Sequence, residues 1–152
     1  MTSIINKSGD TLPFSCAQAF DLAADIERYP EFLKGWVSAR ILRREGNICH
    51  VEQVVGLGPL RWQFTSTAVL KRPQRIEVTS TEAPFRLFSL CWLIAAVPGG
   101  CRISVTASVE LKSAVVQRIV NQFLPAAVDD VITAFEARAQ CVYARPGAAE
   151  RG

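Results

Sequence analysis

Histidine occurs once in these 152 residues, as His50. That scarcity narrows acid–base and metal chemistry: there is no HExxH pair, no His/Cys cluster at metal-ligand spacing, and no glycine-rich phosphate loop. The five cysteines (Cys16, Cys49, Cys91, Cys101, Cys141) are scattered without a CxxC pair. They read as free thiols rather than a zinc site, although spacing alone leaves room for Cys91 and Cys101 to face each other across a hairpin. Long apolar runs are missing too. The longest, Leu87 to Val97, falls well short of the ~20 residues that a spanning helix needs. Met1 to Ser8 carry no basic stretch followed by an apolar core, so no secretory signal is expected and the chain reads as cytoplasmic. Internal repeats are absent, and the length suits one domain, expected over residues 1–143, with 144–152 a disordered tail. Net charge is only +3. Basic residues gather at Arg40/Arg43/Arg44 and Lys71/Arg72/Arg75, where they suit solvated strand ends, an anionic membrane surface or RNA.

What the chain has in quantity is apolar periodicity. Ser3 to Gly9 is a first strand. Ser15 and Gln18 form a capping box at the start of a helix reaching about Ala24. Asp25 is placed to cap a short second helix over Ile26 to Leu33, with Pro30 inside it, and Lys34-Gly35 ends it. From Trp36 to Lys112 the period is two, with turns at Glu45–Asn47, Gly56–Pro59, Lys71–Gln74 and Pro98–Gly100. Cys101, Ile103, Val105, Ala107, Val109 and Leu111 alternate most cleanly. Ala114 to Tyr143 then returns to a helical period, with Val116, Val120, Leu124, Val128, Ile132 and Phe135 on one face. The fold class is therefore α+β: a curved antiparallel sheet of about seven strands, two short helices after the first strand, and a long C-terminal helix across the concave face. This is the helix-grip architecture.

The aromatic residues suit either a solid core or a cavity between sheet and helix. On the cavity reading its lining is expected to include Tyr29, Phe32, Trp36, Trp62, Phe64, Phe85, Trp92, Phe123 and Val128, a wall suited to a long apolar ligand with a polar head. No catalytic set emerges. His50, Glu52 and Arg61 are the candidates for proton transfer, and Glu52 or Gln53 is a candidate for a polar group inside the cavity. Asp129 and Asp130 project about 100° apart and make a poor carboxylate pair. Pro125 interrupts the helical hydrogen bonds, so Val115 to Leu124 is expected to tilt, either as a lid over a cavity mouth or as a static bend. Leu87 to Val97 is apolar on both faces, and the outer one (Cys91, Leu93, Ala95) either stays in solvent or is covered by a partner, a dimer mate or a membrane.

Four segments carry a family resemblance: Ala-Asp-Ile-Glu-Arg-Tyr-Pro-Glu-Phe-Leu (Ala24 to Leu33), Pro84-Phe85 with Trp92, Gly-Gly-Cys-Arg-Ile (Gly99 to Ile103) and Ala-Phe-Glu-Ala-Arg-Ala (Ala134 to Ala139). Together they resemble the START-like polyketide cyclase/dehydrase and lipid-transport (SRPBCC) superfamily. The likeness is greatest to its coenzyme Q-binding branch, which includes the RatA-type ribosome-association toxins. The chain departs from the branch at Lys34-Gly35, where a proline is usual, and at Ala83, where glycine is usual. The resemblance implies a START/Bet v 1-like fold and a non-enzymatic protein that binds ubiquinone or a related isoprenoid lipid, cytoplasmic or peripheral to the inner face of a membrane, in support of respiratory electron transport. It implies two alternatives as well: a toxin that binds the large ribosomal subunit and blocks subunit association, and a polyketide cyclase, aromatase or dehydratase. No metal or cofactor is expected besides the lipid itself. Partners are the apolar ligand, a membrane surface, a second copy in a homodimer, or the ribosome under the toxin reading.

Overall fold

Strict alternation builds most of this molecule. Along the last strand every second side chain from Cys101 to Leu111 is buried while those between stay partly or fully exposed, as a sheet with one covered face requires. The computed structural model describes residues 3–144. In chain order the elements are β1 (Ser3–Ser8), α1 (Cys16–Ala24), a 3-10 turn (Ile26–Arg28), α2 (Tyr29–Phe32), β2 (Trp36–Glu45), β3 (Ile48–Leu57), β4 (Leu60–Lys71), β5 (Arg75–Ser80), β6 (Phe85–Val97), β7 (Gly100–Leu111), α3 (Ala114–Ala139) and a closing π turn (Gln140–Ala144). All seven strands form one sheet, in the order β1-β7-β6-β5-β4-β3-β2, with every pairing antiparallel. The helix-grip expectation is met: α3 packs along β1 and β7 and reaches β3 and α1.

Local chemistry explains the ends of the helices. Ser15 Oγ accepts from the Gln18 N–H, and Gln18 Oε1 accepts from the Ser15 N–H, completing the capping box that starts α1. Ser113 caps α3 in the same way through Val116 N–H. Asp25 does not act as a side-chain cap. The chain there makes a 3-10 turn and then a four-residue helix with Pro30 in its first turn, where a missing N–H costs nothing. At the far end of β7, Gly100 approaches Leu12 so closely that a Cβ would sit 1.8 Å from the Leu12 carbonyl oxygen. That approach lets Leu12 bridge to Cys101 and seals the start of α1 against the sheet.

Three further expectations resolve here. Cys91 pairs with Thr106 and Cys101 with Ala96, and the two cysteines point to opposite faces of the sheet, so no disulfide joins them and both are free. The outer face of β6 is modest: Leu93 is 40% exposed, and Cys91 lies against Arg75. The expected tail, 144–152, lies outside the described residues apart from the backbone of Ala144.

Candidate functional site

The helix–sheet layer is filled at one end and hollow at the other. At the filled end Trp92 stacks against Phe135 at 5.2 Å and against Tyr29 at 6.0 Å between ring centroids. Trp92, Phe135, Ile103 and Val105 are wholly buried. Toward the other end the facing positions shrink to Ala107 on β7 and Ala127 on α3. Small residues on both layers leave a gap between sheet and helix, a cavity of about 430 Å³.

Its walls are apolar: Trp36, Trp62, Phe85, Phe88, Leu90, Val109, Leu124 and Val128 contribute most of the large side chains. The rings support one another. Trp62 meets Phe85 at 5.3 Å, and Phe85 and Phe88 lie 5.4 Å apart. Trp36 is held by a polar relay behind the wall: its indole N–H donates to Gln53 Oε1 at 3.0 Å, and Gln53 Nε2 donates to Ser66 Oγ at 2.9 Å. Gln53 is thus the inward polar group, as one reading of β3 had it, but it serves the ring and does not line the cavity. Glu52 points the other way and pairs with Arg40.

The mouth lies between the β3–β4 turn, the α2–β2 link and the middle of α3. Gly58 there has φ +58°, and a Cβ on it would sit 2.7 Å from the Phe123 ring. Phe123 therefore rests directly on the turn backbone. Lys34 and Asp130 reach across the same opening at 3.9 Å. Arg61 also lines it, exposed and with no ion-pair partner among the described residues. Charge is confined to this rim, and the depth of the cavity holds no ionisable side chain.

Of the residues expected on the wall, Trp36, Trp62, Phe85, Phe123 and Val128 lie on it. Tyr29, Phe32, Phe64 and Trp92 do not, which corrects the expectation for those four. Tyr29 sits one layer behind Trp36, ring centroids 5.5 Å apart, and its hydroxyl donates to the Ala23 carbonyl. Burial, with a smaller contribution from the Asp25 charge, pushes its phenol far above the usual range. Phe32 lies under the Arg138 guanidinium, 5.1 Å from its centroid. Phe64 backs Phe85 and Phe88, each at 4.9 Å. Trp92 belongs to the filled end, its indole N–H left without an acceptor. Phe88, Leu90 and Val109 were missed as wall residues. Val109 is legible in the alternation of β7. Phe88 is masked by a bulge between Phe85 and Leu87, which puts two inward rings three residues apart where period two forbids it.

The proton-transfer candidates do not converge. His50 and Glu52 lie on β3 between Cys49, Val51 and Gln53, whose side chains are the buried ones, so both face away from the helix. His50 lies near Glu45, at 3.8 Å, and near Arg43. Only Arg61 borders the cavity. Among the described residues no cluster of metal ligands occurs and no helix is long and apolar enough to cross a membrane.

A curved antiparallel sheet gripping one long helix over an apolar cavity defines the START-like, Bet v 1-like class of proteins. Within that class the chain belongs to the polyketide cyclase / dehydrase and lipid transport family, whose model matches residues 12–136. It is 27% identical to the ribosome association toxin RatA of Pseudomonas aeruginosa, over 94% of this chain and 99% of that protein. It is 24% identical to the mitochondrial coenzyme Q-binding protein COQ10 homolog B of Xenopus laevis, over 88% of this chain and 57% of that protein. Among solved structures, the Zhui aromatase/cyclase from Streptomyces sp. R1128 superposes with a TM-score of 0.82, covering 95% of this chain and 98% of that one at 13% identity. That last likeness is one of fold.

Proposed function

We propose that this protein is a non-enzymatic carrier that holds ubiquinone or a related isoprenoid quinone between its sheet and α3. The observation that carries this reading is the cavity: about 430 Å³, walled by aromatic and aliphatic side chains, with charge only at the rim. Cavities of ~300–1,000 Å³ with few polar groups are the usual seats of small apolar molecules. Burying prenyl surface at ~25 cal/mol per Å² supplies affinity without any charged contact. The coenzyme Q-binding relative supports the choice of ligand. A cyclase or dehydratase reading gains little from the geometry, because two of its three candidate residues face away from the cavity.

Native mass spectrometry of the purified protein, with lipid extraction, tests the proposal. A co-purifying isoprenoid quinone, one per chain, is expected. An apo protein that fails to take up added ubiquinone would overturn it.

One observation favours a second reading. The likeness to the ribosome association toxin runs through almost the whole of both chains, which supports a protein that associates with ribosomes. Co-sedimentation with ribosomal subunits at low salt, lost steeply as salt rises, is its signature.

A further inference from the structure

Four exposed cations gather at the end of the molecule that carries the cavity mouth. Arg86 at the start of β6, Lys112 after β7 and Arg118 in the first turns of α3 line a second, polar hollow beside the mouth. All three are exposed, and none has an ion-pair partner among the described residues. Glu110 is the acid among the side chains that form this hollow. Arg61 adds a fourth unpaired cation on the rim of the cavity itself. In the basic clusters that stand out in the sequence, Arg40 pairs with Glu52, Arg43 with Glu45, Arg72 with Asp21 and Arg75 with Glu77, whereas Arg44 and Lys71, at the opposite end of the sheet, are exposed without an ion-pair partner among the described residues.

Exposed apolar side chains lie among these cations. Ile4 on β1, Val37 on β2 and Val115 on α3 are 63%, 45% and 68% exposed. Val37 lines the cavity mouth, Ile4 pairs with Ser108 next to the Ser3–Val109 pair, and Val115 stands in the first turn of α3, three residues before Arg118. A nucleic-acid surface would set stacking aromatic rings or polar side chains beside the cations rather than aliphatic ones. Cations mixed with apolar side chains, around an apolar cavity that opens on the same face, match a bilayer surface with anionic head groups.

We propose that the mouth end is a docking face for anionic membrane, with Arg86, Lys112 and Arg118 on lipid phosphates and Val37 and Val115 at the acyl boundary, so that the cavity opens toward the bilayer. The proposal rests on the carrier reading for its purpose, and its test is independent of what fills the cavity. Partition is measured onto vesicles of phosphatidylcholine alone and of phosphatidylcholine with about one third phosphatidylglycerol. The wild type should bind the anionic vesicles and leave the neutral ones. Each juxtamembrane cation is worth about fivefold in partition, so Arg86→Gln/Lys112→Gln/Arg118→Gln should weaken binding about a hundredfold. Val115→Asp should weaken it as well. Arg44→Gln/Lys71→Gln, at the opposite end of the sheet, should leave it nearly unchanged. Equal loss per charge in both sets would reduce the effect to net charge and overturn the docking face. So would the absence of any preference for anionic vesicles, or a triple variant that keeps vesicle binding and loses ribosome binding instead. Lipid retained by the triple variant, read by native mass spectrometry, reports separately on the carrier reading, because none of the three residues lines the cavity.

Discussion

One helix covers both a solid half and a hollow half of the same sheet, and the two halves differ in the size of the facing side chains rather than in topology. Beneath Ile132 to Ala139 of α3 the interior is closed by Trp92, Phe135 and Tyr29. Beneath Leu124 to Val128 it is left open by Ala107 and Ala127, although Trp62, Phe85 and Phe88 stand at its edge. Interiors pack to near-crystalline density wherever the chain supplies matching volumes. A cavity therefore needs a specific cause, and here it is Ala107 on the sheet facing Ala127 on the helix. Stability and binding are assigned to different stretches of one layer.

The largest effect should come from the solid half. Trp92→Ala removes a wholly buried indole and should cost ~3–5 kcal/mol in urea unfolding, as large-to-small core changes do. Phe88→Ala, on a wall already bordered by empty space, should cost clearly less. Equal costs would mean that the two halves are not energetically distinct.

Next in size is a change that leaves stability nearly alone. Ala107→Phe puts a ring into the hollow half, where there is room for it. Retained lipid should fall about tenfold or more, equivalent to ~1.4 kcal/mol of lost ligand burial, while the urea midpoint moves little. A large stability loss with lipid retention intact would show that the cavity closes around no ligand at this position.

This division was only partly readable from the residues in order. Period two from Trp36 to Lys112 and the helical stripe after Ala114 specify the grip, because each strand and helix must hide one face. The capping box at Ser15 is local and was equally legible. Which aromatics border space and which fill it is a matter of register across strands. Phe64 and Trp62 are two residues apart on the same face of β4, yet Phe64 is backed by Phe85 and Phe88 while Trp62 borders the opening. Tyr29 and Trp92 carry the family likeness and turned out to be packing residues. Pro125 left a lid and a static bend both open, and the start of α3 carries a fastening that spacing could not reveal. Gln117 Oε1 accepts from the Leu111 N–H at 2.7 Å and its Nε2 donates to the Val109 carbonyl at 3.1 Å, which ties the start of α3 to β7.

A smaller effect probes where the hollow half closes. Gly58→Ala places a Cβ in a left-handed backbone conformation and against the Phe123 ring. The backbone part alone should cost about 1–2 kcal/mol. Adding Phe123→Ala should relieve the steric part and leave the backbone part, which a double-mutant cycle separates. If the two changes were simply additive, Phe123 would not be seated on the turn.

The smallest effect concerns pH and belongs to the solid half. Arg138 in the last turn of α3 donates to Glu31 Oε1 at 2.7 Å, and Arg28 lies 3.2 Å from Glu31 Oε2, so this carboxylate fastens α2 to the helix. The Arg138 hydrogen bond, followed by the positive charges of Arg28 and Arg138, holds the Glu31 carboxyl below its usual range. A group whose folded value is depressed stabilises the fold above its unfolded value of about 4.3 and loses that contribution as pH falls through the folded one. The stability difference between wild type and Glu31→Gln should thus be constant at neutral pH and shrink only in acid, below the ordinary carboxylate range. Both side chains of the Lys34–Asp130 pair at the mouth are more exposed, and their atoms are 3.9 Å apart, so Asp130→Asn should cost less stability at neutral pH than Glu31→Gln does. A larger loss for Asp130→Asn than for Glu31→Gln at neutral pH would place the fastening at the mouth, and the hollow half would then be the one held shut by charge.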